Sequence, residues 1–170
     1  MRVQSNAEFV IEGDKLLDII CFDKKGTIIP TGSFKNGTGE LKIPFKKGRF
    51  LVAHFLDGLL NDTTFYYQNS KGATSFLLSY CVFKNGFLEI SVLYFPNGAV
   101  CFKEECEKGK IVHVYYYGFV NPLSSIPIIQ WFVAPWKYYD KLSKEVIFNK
   151  NGTTSTIIYR PDGSIQSKTP

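Results

Sequence analysis

The residues of this chain whose types could do chemistry are few: His54 and His113, four cysteines, the adjacent carboxylates Glu104 and Glu105, and a Trp- and Tyr-rich stretch near residue 135. Nucleophilic catalysis needs a Ser or Cys beside a His that a carboxylate orients, and neither that grouping nor a G-x-S-x-G elbow can be read here. Phosphate-cradling motifs need glycines clustered before a helix, whereas these glycines recur singly. Both histidines fall in segments that read as strands, where a structural role is the default. Neighbours on a strand point to opposite faces, so Glu104 and Glu105 do not form a simple acid/base pair. Cys21, Cys81, Cys101 and Cys106 lack C-x-x-C spacing, and with only two histidines available no structural zinc site is expected. If Cys101 and Cys106 share a strand, their separation of five puts them on opposite faces, which argues against a bridge between them. Buried thiols are therefore expected, with a long-range disulfide left open should the protein be exported. No catalytic residue, metal or cofactor is assigned.

Trp131, Trp136, Tyr138 and Tyr139 are the candidate partner-binding residues, since Trp and Tyr are enriched at binding hot spots. They belong to an irregular insert, 119–142, and the competing reading is that they cap an open sheet end. An enzyme site hidden around the same residues and Asp140 is a third, weaker reading.

The elements that must position these groups are hairpins. Phe34-Lys35-Asn36-Gly37 has the form of a tight turn, and it returns as Phe45-Lys46-Lys47-Gly48, Phe55-Leu56-Asp57-Gly58, Phe83-Lys84-Asn85-Gly86 and Phe95-Pro96-Asn97-Gly98. One residue longer, it returns again before Gly152 and Gly163. Asn-Gly and Asp-Gly adopt the positive-φ conformations of such turns at little cost. Turn glycines from Gly26 to Gly109 are spaced by 10 to 14 residues, then by 43, then by 11, which marks strand after strand with one long interruption. Between the turns, residues 40–45 alternate so that Leu41, Ile43 and Phe45 share a face. Residues 87–94 do the same with Leu88, Ile90, Val92 and Tyr94. Residues 73–82 are apolar on both faces, as for a central strand. An aromatic content of 16% favours sheet.

Gly32-Ser33-Phe34-Lys35-Asn36-Gly37-Thr38-Gly39-Glu40-Leu41-Lys42-Ile43-Pro44-Phe45-Lys46-Lys47-Gly48 resembles a MORN-type repeat variant of the bacterial YwqK-like proteins, a family often labelled as toxin–antitoxin antitoxin components. Similar copies run from His54 and from Val82, while Gly39 has no counterpart after Gly86 and Gly118 lacks a preceding Asn-Gly turn. The resemblance covers about residues 26–118 and 144–163. It implies a non-enzymatic module that binds a protein partner.

The expected fold is therefore all-β, a single twisted antiparallel meander of repeated hairpins with an irregular insert, in one domain over 1–170. A closed barrel or a two-sheet sandwich is the alternative. The expected function is an interaction module, antitoxin-like. The alternative is an envelope-associated structural protein that binds anionic lipid headgroups or glycans through its lysines. The net charge of +5 comes largely from turn lysines such as Lys24, Lys25, Lys35, Lys84, Lys108 and Lys150, which keep sheets soluble. Specific nucleic-acid binding is not expected, because the aromatics are needed for packing. No apolar run is long enough for a transmembrane helix, and residues 1–6 carry no signal-peptide core, which favours a cytoplasmic location unless a leader has been removed.

Overall fold

The computed structural model describes residues 6–45, 48–69, 75–95, 98–118 and 141–170, and among these there is no α-helix. Fourteen strands account for most of them. The chain divides into two compact units, Met1–Ser91 and Val92–Pro170.

In the first unit β1 (Asn6–Glu12), β2 (Lys15–Phe22) and β3 (Ile28–Ile29) form a three-stranded antiparallel sheet in that order. β4 (Gly39–Pro44), β5 (Arg49–Leu56), β7 (Asp62–Asn69) and β8 (Ser75–Lys84) form consecutive antiparallel neighbours, with the short β6 (Leu59–Leu60) paired to β5. Alternation puts Leu41, Ile43, Leu51, Ala53 and Phe55 on one face, and the opening sheet supplies Leu16, Ile19 and Cys21 against it. The core follows from this: Ile19, Cys21, Phe34 and Leu41 are buried, with Ala7, Leu16, Ile29, Ile43 and Phe55 packed around them. Phe34, a turn residue by sequence, is thus a core residue, its ring 5.0 Å from that of Phe55. Phe45, expected beside Leu41 and Ile43, is 44% exposed because it ends the strand.

β9 (Phe87–Tyr94) contains the division between the units. Of the face expected to gather Leu88, Ile90, Val92 and Tyr94, Val92 is buried and the others are half-buried. In the second unit β10 (Val100–Glu107), β11 (Lys110–Tyr117), β12 (Leu142–Phe148), β13 (Thr154–Tyr159) and β14 (Ile165–Thr169) follow one another as antiparallel neighbours. The architecture is the all-β succession of hairpins that the turn spacing demands, and the described strands close no barrel. The 119–142 insert lies outside the described residues except for its last two. Gly118 N–H donates to the Lys141 carbonyl at 2.8 Å, so the ends of this connection are held together.

All four cysteines are described and none forms a disulfide; Cys21 and Cys106 are buried, and Cys81 and Cys101 half-buried. Burial pushes the Cys21 and Cys101 thiols above their ordinary pKa. Cys101 and Cys106 both lie on β10, five residues apart, as expected.

Candidate functional site

The described turn glycines are at strand junctions, but they are not equivalent; Gly72 lies outside the described residues. Asn36-Gly37, Asp57-Gly58 and Asn85-Gly86 have positive φ at both central residues, the geometry of the tight two-residue hairpin. Lys108-Gly109 does the same without an Asn or Asp. Gly98, Gly152 and Gly163 instead end wider turns, in which the glycine N–H donates three residues back, to Phe95, Asn149 and Arg160. Gly48 takes a positive φ at the junction of β4 and β5, where Phe45 N–H donates to the Arg49 carbonyl.

In the first unit the tight turns touch. Gly37 N–H donates to the Leu17 carbonyl at 2.7 Å, Gly58 N–H to the Gly37 carbonyl at 2.7 Å, and Gly86 N–H to the Leu60 carbonyl at 2.9 Å. A Cβ on Gly37 would lie 2.7 Å from the Gly58 nitrogen, and one on Gly58 would lie 2.5 Å from the Lys15 Cβ. These two glycines are required twice over, by φ and by the approach of one turn to the next.

The four aromatic residues proposed to bind a partner, Trp131, Trp136, Tyr138 and Tyr139, lie outside the described residues. Exposed large apolar side chains are scattered over the described strands, but on β1 three of them are consecutive: Phe9, Val10 and Ile11 are 58%, 56% and 63% exposed. Among the described strands β1 is also terminal, hydrogen-bonded to β2 and to no other.

The second unit carries a polar constellation on one sheet face. Lys103 and Glu105 on β10 share a face, as do His113 and Tyr115 on β11, and the register sets Lys103 opposite Tyr115 and Glu105 opposite His113. Glu145 on β12 lies opposite Tyr115 from the other side. The Glu105 carboxylate accepts from Lys103 Nζ at 2.7 Å and from the Tyr115 hydroxyl at 3.1 Å. The lysine beside it holds the Glu105 carboxyl below its ordinary pKa, burial opposing this only in part. Burial, and then the hydrogen bond to Glu105, push the Tyr115 hydroxyl up to about 12. Tyr159 is shifted the same way by burial and by its hydrogen bond to Glu145. The His113 ring stacks on Tyr115 at 4.0 Å, and its Nε2 stands 3.5 Å from Glu145 Oε2, an ion-pair distance too long for a good hydrogen bond.

This set contains acids and a base, but the groups are tied to one another. A phenol kept neutral beyond pH 10 is a poor proton donor near neutrality, and a carboxylate saturated by an ammonium and a phenol is a poor base. The set reads as a cross-strand network that fixes register. His54 is tied in a similar way on the first unit, its Nδ1 2.8 Å from the Thr63 carbonyl and its Nε2 3.6 Å from Glu40 Oε2. Among the described residues no group of three or more His, Cys, Asp or Glu side chains is placed to hold a metal ion, and no helix is long and apolar enough to cross a membrane. Sequence reading missed the network, although the i, i+2 pairs Lys103/Glu105 and His113/Tyr115 were a visible signal.

No protein-family model matches this chain, and no curated protein matches it.

Proposed function

We propose that this protein is a non-enzymatic β-repeat interaction module that binds a protein partner, antitoxin-like in the sense implied by its MORN-type repeats. The observation that supports this reading most is the edge of β1. An edge strand offers unpaired N–H and C=O groups, and proteins blunt such edges with prolines, lysines, short strands or covering segments. The other edges are blunted here. β3 has two residues and is followed by Pro30; β4 is bridged by Gly32 and by the Thr31 carbonyl, which accepts from Lys42; β14 carries Lys168. β1 has seven residues, Asn6–Glu12, without Lys or Pro, and presents Phe9, Val10 and Ile11 to solvent. A partner that adds a strand there gains main-chain hydrogen bonds and buries three apolar side chains. The β-bulge in the β1–β2 pairing falls on β2, where Leu17 is the extra residue between the partners of Val10 and Ile11, so β1 itself runs without an insertion. Glu8 and Glu12 flank the apolar run and favour a partner strand with basic residues.

The alternative, binding of anionic headgroups or glycans through lysine-bearing turns, has less behind it. In the first unit the turn bearing Asp57 stands between those bearing Lys35 and Lys84, which breaks up the positive charge.

The test is affinity capture from the cells of origin with the wild-type chain and with Val10→Lys, whose exposed position leaves folding intact. The expected result is one specific protein held by the wild type and lost by the variant at unchanged melting temperature. Equal retention by both would refute the β1 edge, and a monomeric wild type that captures no specific protein would refute the interaction module itself.

A further inference from the structure

The Asn151-Gly152 turn between β12 and β13 is written like Asn36-Gly37 and Asn85-Gly86, but its reacting groups are held differently. Asn97, before Gly98, lies outside the described residues. The side-chain amide of an asparagine can be attacked by the backbone nitrogen of the next residue, and a following glycine leaves that nitrogen unhindered because it has no Cβ. Attack needs the nitrogen to be released from its hydrogen bond. It also needs donors at Oδ1, where negative charge develops as the carbon–nitrogen bond forms.

Asn151 meets both conditions. Its Oδ1 accepts from the Thr153 N–H at 3.1 Å and from the Thr153 hydroxyl at 2.8 Å. A backbone N–H can only donate, which fixes the atom facing it as the amide oxygen. The Thr153 hydroxyl itself accepts from Asn149 Nδ2 at 3.0 Å, so its own proton is left for Asn151. Gly152 N–H donates to the Asn149 carbonyl at 3.0 Å, a bond internal to the turn; Asn151 and Gly152 are exposed, so water can replace that bond without moving another strand. Among the described residues nothing lies within 4 Å of where a Gly152 Cβ would be. At the other two turns the nitrogen is held from outside. Gly37 N–H donates to the Leu17 carbonyl and Gly86 N–H to the Leu60 carbonyl, at 2.7 Å and 2.9 Å, and Gly37 is buried against Gly58. Releasing either nitrogen parts one segment of the fold from another.

We infer that the β12–β13 turn is a site of self-modification, in which Asn151 deamidates in the folded protein while Asn36 and Asn85 are protected. The Gly152 nitrogen gives its proton to solvent and bonds to Asn151 Cγ, and Nδ2 takes a proton from water and leaves as ammonia, which closes a five-membered imide. One water then opens the imide. Opening at Cγ gives aspartate, and opening at the main-chain carbonyl gives isoaspartate, whose backbone is longer by one carbon. The aspartate suits the fold, since Asp162 in the next turn accepts from the Ser164 N–H and hydroxyl just as Asn151 accepts from those of Thr153. The isoaspartate lengthens the loop that closes the Phe148–Thr154 pair. This site is independent of the β1 edge and needs no partner.

The test incubates the whole native chain in mildly alkaline buffer, digests it in acid and follows Asn36, Asn85 and Asn151 by peptide mapping. The expected result is conversion at Asn151 at least about 10-fold faster than at the other two, the factor for about 1.4 kcal/mol of contact that they must break, with both aspartate and isoaspartate formed. In urea the three rates converge. Thr153→Val, at an exposed position, is expected to slow conversion of native Asn151 by about 5-fold, the factor for one net hydrogen bond, while Thr153→Ser keeps the wild-type rate and neither variant changes the rate in urea. Equal native rates at the three asparagines, conversion at Asn151 in urea but not in the native chain, or an unchanged native rate in Thr153→Val would each overturn the inference.

Discussion

Gly37 and Gly58 in the first unit and Gly152 and Gly163 in the second close turns that are written in nearly the same residues, yet they stand in different surroundings. Around the first pair the neighbouring backbone comes within 2.7 Å and 3.1 Å of where a Cβ would be, and around the second pair nothing lies within 4 Å. The first unit stacks its turns and gathers Ile19, Cys21, Phe34, Leu41 and Ala53 into its interior. Among the described residues of the second, the buried apolar ones are Val92, Cys106 and Val114, and one sheet face carries Lys103, Glu105, His113, Tyr115 and Glu145. A glycine required by φ alone and a glycine required also by packing look identical in sequence; their sensitivity to substitution separates them.

The comparison breaks most easily in the core. Leu41→Ala removes a side chain that is 1% exposed and leaves a gap in the core, so it is expected to cost about 3–5 kcal/mol in urea unfolding; a loss under 1 kcal/mol would mean that the sheets close over the gap. Gly37→Val follows, at about 3 kcal/mol or more, because a β-branched residue must take a φ of +77° while its Cβ meets the Gly58 backbone. A folded Gly37→Val variant that loses a defined activity would contradict the purely structural role given to this turn.

Gly163→Ala sharpens the contrast. Its φ of +87° is strained for alanine but its surroundings are open, which predicts a loss of about 1–2 kcal/mol by the same measurement. If Gly163→Ala costs as much as Gly37→Val, packing of the turns contributes nothing and the distinction fails.

The smallest effects concern the polar face and appear as pH dependence. The Tyr115 pKa is raised to about 12, above the 10 of an unfolded tyrosine, so between these values the folded state holds a proton that the unfolded state has lost, and stability falls as pH rises through this window. Tyr115→Phe should make that fall shallower. At the acid end Glu105 has a lowered pKa, so its contribution is present above the ordinary carboxylate range and is lost as pH falls through the folded value. In Lys103→Met the Glu105 carboxyl should titrate closer to its ordinary value by carbon-13 NMR; an unmoved titration would show that the lysine is not its main partner.

Much of the fold was legible in the sequence. Asn36-Gly37, Asp57-Gly58 and Asn85-Gly86 specify hairpins because few residues tolerate positive φ at both central positions, and alternation at 40–45 and 87–94 gives strands with one apolar face. Less legible was the division of labour among the turns, since nothing in Phe34-Lys35-Asn36-Gly37 says that Phe34 enters a core while Phe148, before Gly152, remains 40% exposed. The separate opening sheet was legible as strands but not as a layer, because its partner residues Leu41 and Phe55 lie on later strands, 12 or more positions further on.

By itself, then, the sequence determined the all-β class, the hairpin succession and the turn geometry, because each depends on the local backbone preferences of a few adjacent residues. The tertiary structure alone decided which faces coincide. A two-residue turn at Lys108-Gly109 with unbroken pairing would set Lys103 opposite Val114; the bulge between Glu105 and Cys106 moves the register by one and sets Lys103 opposite Tyr115. Since side chains alternate with a period of two, that single shift carries the carboxylate, lysine, phenol and imidazole to one face.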